Sequence, residues 1–162
     1  MEEKLIKEQI KDKNFAILDI EYIQSSKTHK CTRKLYILAK DGYTDMELEF
    51  KPCKPWNELT KFYQRSFRFC EAHIHKLPYY PSHKYAPRCG KVLEKINAFI
   101  VYNSIDCILY KGGVIEKQLC QKLSIPSYNL ECLPNLGKVE SHDPQTEVNG
   151  YYRQLLKLGY VL

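Results

Sequence analysis

The run NFAILDIEYIQ, from Asn14 to Gln24, limits the possible folds more than any other part of this chain. Phe15, Ile17, Leu18, Ile20, Tyr22 and Ile23 make it apolar on both faces, as in an interior strand of a sheet covered on both sides. Yet it also carries two carboxylates, Asp19 and Glu21. Side chains at i and i+2 of a strand share a face, so both acids look the same way. Burying two like charges side by side is unfavourable unless solvent or a cation lies between them. Either that face opens onto solvent, or it holds a metal.

The chain of 162 residues has the size of a single domain, 1–162, with a charged lead-in over 1–13. That length is enough to bury about 70% of its unfolded surface. A hydrophobic content of 44% and a charged content of 27% are ordinary for a soluble globular protein. The net charge of +6 favours an anionic partner. Thirteen tyrosines supply either core or stacking surfaces for bases. Seven cysteines, an odd number without a C-x-x-C pair, together with the charged start MEEKLIKEQIKDK, argue against a secreted disulfide scaffold. No apolar run has the length of a membrane span. The expectation is an intracellular protein, cytoplasmic or nuclear, with mostly buried free thiols.

Along the chain, a first strand at 15–23 is followed by a polar turn. RKLYILAKDG reads as a second strand closed by Asp41-Gly42. YTDMELEF alternates Met46, Leu48 and Phe50 with acids, as a half-exposed third strand does, and the three form an antiparallel meander. The period then changes: after Pro55, Trp56, Leu59, Phe62/Tyr63 and Phe67 recur at helical spacing. KLPYYPSHKYAPRCG is a loop and KVLEKINAFI a helix. IDCILYK is a strand, GG a tight turn and VIEKQLCQKL a short helix. SIPSYNLECLPNLGKVES is irregular, with one short strand. HDPQTEVNGYYRQLLKL closes the chain as a helix, with Asp143 as N-cap and Pro144 at the first helical position. This order predicts an α/β fold with a central mixed sheet of about five strands flanked by helices.

Three short motifs stand out on these elements. Asp19-x-Glu21 lies on the first strand, Glu116 opens the helix after strand–GG, and His142 precedes Glu147 by five residues at the start of the last helix. Together they resemble the DEDD-type, DnaQ-like proofreading exonucleases of ribonuclease-H-like fold, whose element order the chain also follows. The resemblance implies that Asp19, Glu21, Glu116 and Glu147 hold two divalent ions, Mg²⁺ or Mn²⁺, and that neutral His142 is the general base of a 3′–5′ exonuclease. Such chemistry requires hard oxygen ligands around two cations about 3.5–4 Å apart and a base with a pKa near 6.5. The family usually has Asp where this chain has Glu116 and Glu147. Asp106, in YNSID, is a rival for the second motif but precedes its strand.

The same resemblance makes the loop around His75, Lys76, Tyr79 and Tyr80 a flank of the groove for single-stranded RNA or DNA. These residues then supply backbone and stacking contacts. Lys111, beside Gly112-Gly113, either meets a phosphate or is a solvated lysine at a tight turn. Cys70, His73, His75 and His83 have spacings compatible with zinc but lack a convincing second half. The chain also resembles, more remotely, the Maelstrom domain, which shares the fold without the acidic set and holds a structural zinc. That likeness implies Glu116, Cys120, Cys132 and His142 as ligands, in a degenerate module that binds RNA or protein without cutting.

Overall fold

The expected first strand forms over Phe15–Gln24 (β1) and lies in the middle of a five-stranded mixed sheet. On one side, β2 (Lys30–Ala39) and β3 (Asp45–Glu49) complete the antiparallel meander. On the other, β4 (Cys107–Tyr110) pairs parallel to β1, and β5 (Ser127–Asn129) pairs parallel to β4. The strand order is therefore β3-β2-β1-β4-β5. This computed structural model describes residues 2–24, 27, 30–49, 56–69, 89–133, 135–139 and 141–161. The helices among them are α1 (Glu2–Lys11), α2 (Lys61–Phe69), α3 (Cys89–Tyr102), α4 (Val114–Lys122) and α5 (Pro144–Lys157).

Alternation along β1 divides the core in two. Ala16, Leu18 and Ile20 pack with Leu35 and Ile37 against Val92, Ile96 and Phe99 of α3 and Cys120 of α4. Phe15 and Ile17 pack with Tyr36, Leu38 and Leu109 against Ile10 of α1 and Val148, Tyr151 and Leu155 of α5. Both faces of the sheet are covered, which is why β1 reads as apolar on both sides. Asp19 and Glu21 fall in the odd-numbered set and so belong to the α5 face.

Two elements differ from expectation. The charged lead-in, readable as a single helical turn or a frayed start, is a ten-residue helix. Ile10 is fully buried, and the Lys7 ammonium donates to the Leu158 carbonyl at 2.7 Å and lies 5.4 Å from the Tyr160 ring centroid. These are tertiary contacts with the far end of the chain, which a local charge pattern does not reveal. The helix expected after Pro55 breaks into a 3-10 turn, Trp56–Glu58, and α2. The Thr60 hydroxyl accepts from the Tyr63 N–H at 3.4 Å, the geometry of an N-cap. The interruption resets the helical phase. Leu59 and Phe67 are buried as expected, whereas Phe62, expected on the same apolar face, is 72% exposed.

No helix among the described residues is long and apolar enough to cross a membrane. Of the cysteines, Cys107 and Cys120 are buried and Cys132 is exposed, all as free thiols. His75, Lys76, Tyr79 and Tyr80, with Cys70, His73 and His83, lie outside the described residues.

Candidate metal centre

β1 is longer than its parallel neighbour. β4 pairs with it only opposite Phe15, Ala16 and Ile17, so the residues that follow line the carboxyl end of β4. In open α/β sheets, ligands bind at such carboxyl ends, where the chain order reverses direction across the sheet. Asp19 and Glu21 occupy that position. Immediately after Glu21 the β1–β2 register shifts, with Arg33 entering as the extra residue of β2. A bulge of this kind sharpens the twist and re-aims nearby side chains.

The third acid comes from α5. Asp143 caps this helix, accepting from the Thr146 N–H at 3.2 Å, and Pro144 follows at the first position, as the sequence predicts. Pro144, Val148, Tyr151 and Leu155 form the buried stripe. Glu147 lies beside that stripe and is carried onto β1. One ligand oxygen each from Asp19, Glu21 and Glu147 lies within 4.8 Å of the others. Glu147 stands close enough to both Asp19 and Glu21 for its carboxyl to act on each of them. Burial first, then the proximity and charge of Glu147, push Asp19 up to about 10 from its ordinary 3.8. The same causes in the same order push Glu21 to about 9. Asp19 Oδ2 and Glu147 Oε2 are buried with no hydrogen-bond partner among the described residues. Buried acceptors are rarely left in this way without a ligand.

A clamp holds the start of α5. The Lys34 ammonium lies 2.9 Å from Glu47 Oε1 and 3.3 Å from Asp143 Oδ1, joining β2, β3 and the helix cap next to Glu21. Partial burial of Asp143 is outweighed by its hydrogen bonds from Thr146 and Lys34, which hold the carboxyl below its ordinary range. Local sequence marks Asp143 only as a cap and gives no sign of the role of Lys34. No local pattern reports that a lysine opposite Glu21 reaches a cap more than a hundred residues later. Tyr151 carries no such sign either. Its hydroxyl accepts from the Val139 N–H at 3.3 Å and feels the charges of Glu147 and Asp19. Lys111, expected at a phosphate or in solvent, lies 5.8 Å from the centroid of that tyrosine ring.

Glu116 departs from expectation. It is buried at the start of α4, and its charge reaches Asp19 and Glu21, but it is not one of the mutually close ligands. Burial raises its carboxyl, opposed by hydrogen bonds from its own backbone N–H and that of Ile20. Ile20 lies past the end of the β4 pairing, so the carboxylate serves a strand edge that β4 does not reach. Gly113 makes the fold-back possible: it has φ +80°, and a Cβ there would overlap the Glu116 carboxylate. Gly113→Ala is expected to cost about 1–3 kcal/mol from backbone strain alone, read as a lower midpoint in urea unfolding. In a Glu116→Ala background the cost should shrink, because the overlap is gone.

The zinc set is not assembled. Glu116, Cys120, Cys132 and His142 are all described, yet no three of them lie within mutual ligand reach. Cys120 is buried in the α3–α4 core, whereas Cys132 and His142 are exposed. The physical reason is that α4 turns Glu116 toward β1 and Cys120 into the hydrophobic layer. His142 sits one residue before the α5 cap and is exposed. No family model matches this chain and no curated protein matches it in sequence, so its chemistry rests on the side chains just described.

Proposed function

We propose that this chain is a divalent-metal-dependent phosphodiesterase, a 3′–5′ exonuclease of ribonuclease-H-like fold acting on single-stranded RNA or DNA. The observation that carries the proposal is the convergence of Asp19, Glu21 and Glu147 within 4.8 Å, with buried oxygens on Asp19 and Glu147 left over. Three carboxylates fit Mg²⁺ or Mn²⁺, which take oxygen ligands, better than a softer metal. When bound, such ions supply Lewis-acid stabilisation of a phosphoryl oxygen and an acidified water. The chain's own residues do the rest. Asp19 and Glu21 offer ligand oxygens from a rigid interior strand. Glu147 closes the set from α5, whose start is held by Asp143 and Lys34. Exposed His142, one residue before the α5 cap and five before Glu147, is the residue that takes a proton at an imidazole nitrogen.

A second reading is favoured by one observation: Glu116 is turned onto the Ile20 N–H, which leaves three acids together where the resembled family uses four. On that reading the domain is a degenerate module that binds nucleic acid or protein without cutting. Incubation with 3′-labelled single-stranded RNA and DNA separates the two. Shortening that needs Mg²⁺ or Mn²⁺ and stops in EDTA supports the enzyme; binding without shortening supports the module. His142→Ala should then lower turnover by about 10²–10⁴-fold with thermal stability unchanged, since the residue is exposed. An unchanged cleavage rate in that variant removes His142 from the proposal.

A further inference from the structure

The phase break before α2 leaves an exposed helical face without a role in the acidic centre. α2, KFYQRSFRF, carries three cations and no acid. At about 100° per residue, Lys61, Arg65 and Arg68 fall within about 60° of one another, and Phe62 and Phe69 within about 20°. The two stripes run side by side, about 90° apart, and both face away from buried Phe67. The three cations are exposed. Phe62 and Phe69 are 72% and 58% exposed. The Arg68 guanidinium lies over the Trp56 ring, 4.9 Å from its centroid, a contact that uses the face of the group and not its N–H donors. Phe62 meets Tyr63 edge-to-face at 5.2 Å.

We infer that this face of α2 is a docking surface for a single strand of nucleic acid. Phosphates lie along Lys61, Arg65 and Arg68, and bases stack on Phe62 and Phe69. A single strand has its charges along one edge and its flat apolar groups along the other, and sequence-tolerant binders pair a basic track with aromatic platforms in that way. The two rings are about 10.5 Å apart along the axis, too far to share one base, so each receives its own. A helix lying on a membrane is built differently, with a central apolar face and a broad polar, basic face opposite. Here the cations flank the aromatics on one side only. The surface is on a different element from the acids, and its occupation depends on neither metal nor cleavage.

The test is fluorescence anisotropy with labelled oligouridylate and oligothymidylate in EDTA, where metal-dependent cutting cannot contribute. Phe62→Ala and Phe69→Ala should each weaken binding by about 5- to 150-fold without changing the salt dependence. Lys61→Gln with Arg65→Gln should lower the slope of log affinity against log salt by about 1.4, the contribution of two phosphate contacts on a single strand. Urea-unfolding midpoints should be unchanged, because the substituted side chains are exposed. Unaltered oligonucleotide affinity in both sets overturns the inference. So does loss of binding to phosphatidylserine vesicles with oligonucleotide affinity retained, which would make α2 a membrane contact. Absence of strand shortening in Mg²⁺ or Mn²⁺ would count against the exonuclease and leave this measurement intact.

Discussion

Asp19→Asn is expected to remove metal-dependent cleavage and Mn²⁺ binding together, while leaving the metal-free protein at least as stable as the parent at pH 7. The loss follows from the site: Asp19 is one of the three mutually close ligands, on an interior strand with little freedom for a neighbour to replace it. Lewis-acid stabilisation is worth several kcal/mol, and each 1.36 kcal/mol is tenfold in rate. The fall in turnover should therefore be about a thousandfold or more. The retained stability follows from burial. The parent keeps a proton on this cluster at neutral pH, and Asn is the neutral isostere of a protonated Asp. Isothermal titration with Mn²⁺ and urea unfolding in EDTA check the two halves separately. Retained Mn²⁺ affinity would move the metal elsewhere, and unfolding of the variant would make Asp19 structural.

The second large effect is on the pH dependence of stability, and its sign reverses with metal. The ordinary values are 3.8 for Asp19 and 4.5 for Glu21, and in the folded protein they rise to about 10 and about 9. Between those limits the folded state binds more protons than the unfolded one, so stability falls as pH rises. It is greatest below about pH 4, where both states are protonated, and the contribution is fully lost above about pH 10. Each proton held only by the folded state gives a slope of about 1.4 kcal/mol per pH unit. In EDTA, unfolding midpoints should therefore drop steadily from pH 5 to pH 9. With saturating Mn²⁺ the slope should flatten or invert, because the ligand form is the deprotonated one. A flat profile in EDTA would mean that the acids are solvated and carry no proton into the fold.

Much of this arrangement is legible in residues close together in sequence. The interior position of β1 follows from Phe15, Ile17, Leu18 and Ile20, and the start of α5 from Asp143-Pro144. That Asp19 and Glu21 share a face is visible in their i+2 spacing, whereas their meeting with Glu147 is implied only by the resemblance to the proofreading exonucleases. Other features depend on contacts between distant segments. The Glu116 carboxylate turns toward Ile20 because β4 stops short of it, a matter of relative strand length that the strand–turn–helix pattern does not encode. Phe62 is exposed because Thr60 restarts the helix, and continuous periodicity across Leu59 hid that break. The bulge at Arg33 and the Lys34 clamp arise from β2–β1 register and from the approach of α5.

The acids that converge come from the first strand and the last helix of the fold. A cation bound between them would act as a reversible cross-link, closing nearly the whole chain into one loop. Its stabilisation would then appear in global unfolding, and the amides of α5 and β1 would gain hydrogen-exchange protection in step. In the metal-free protein three acids crowd this junction, so α5 is the element whose amides should open first at alkaline pH. Synthesis has the same order built into it: Asp19 and Glu21 emerge early, and their partner Glu147 only near the end. An ion shared by all three acids could therefore not be held until the last helix has docked, and its occupancy would then be a readout of completed folding.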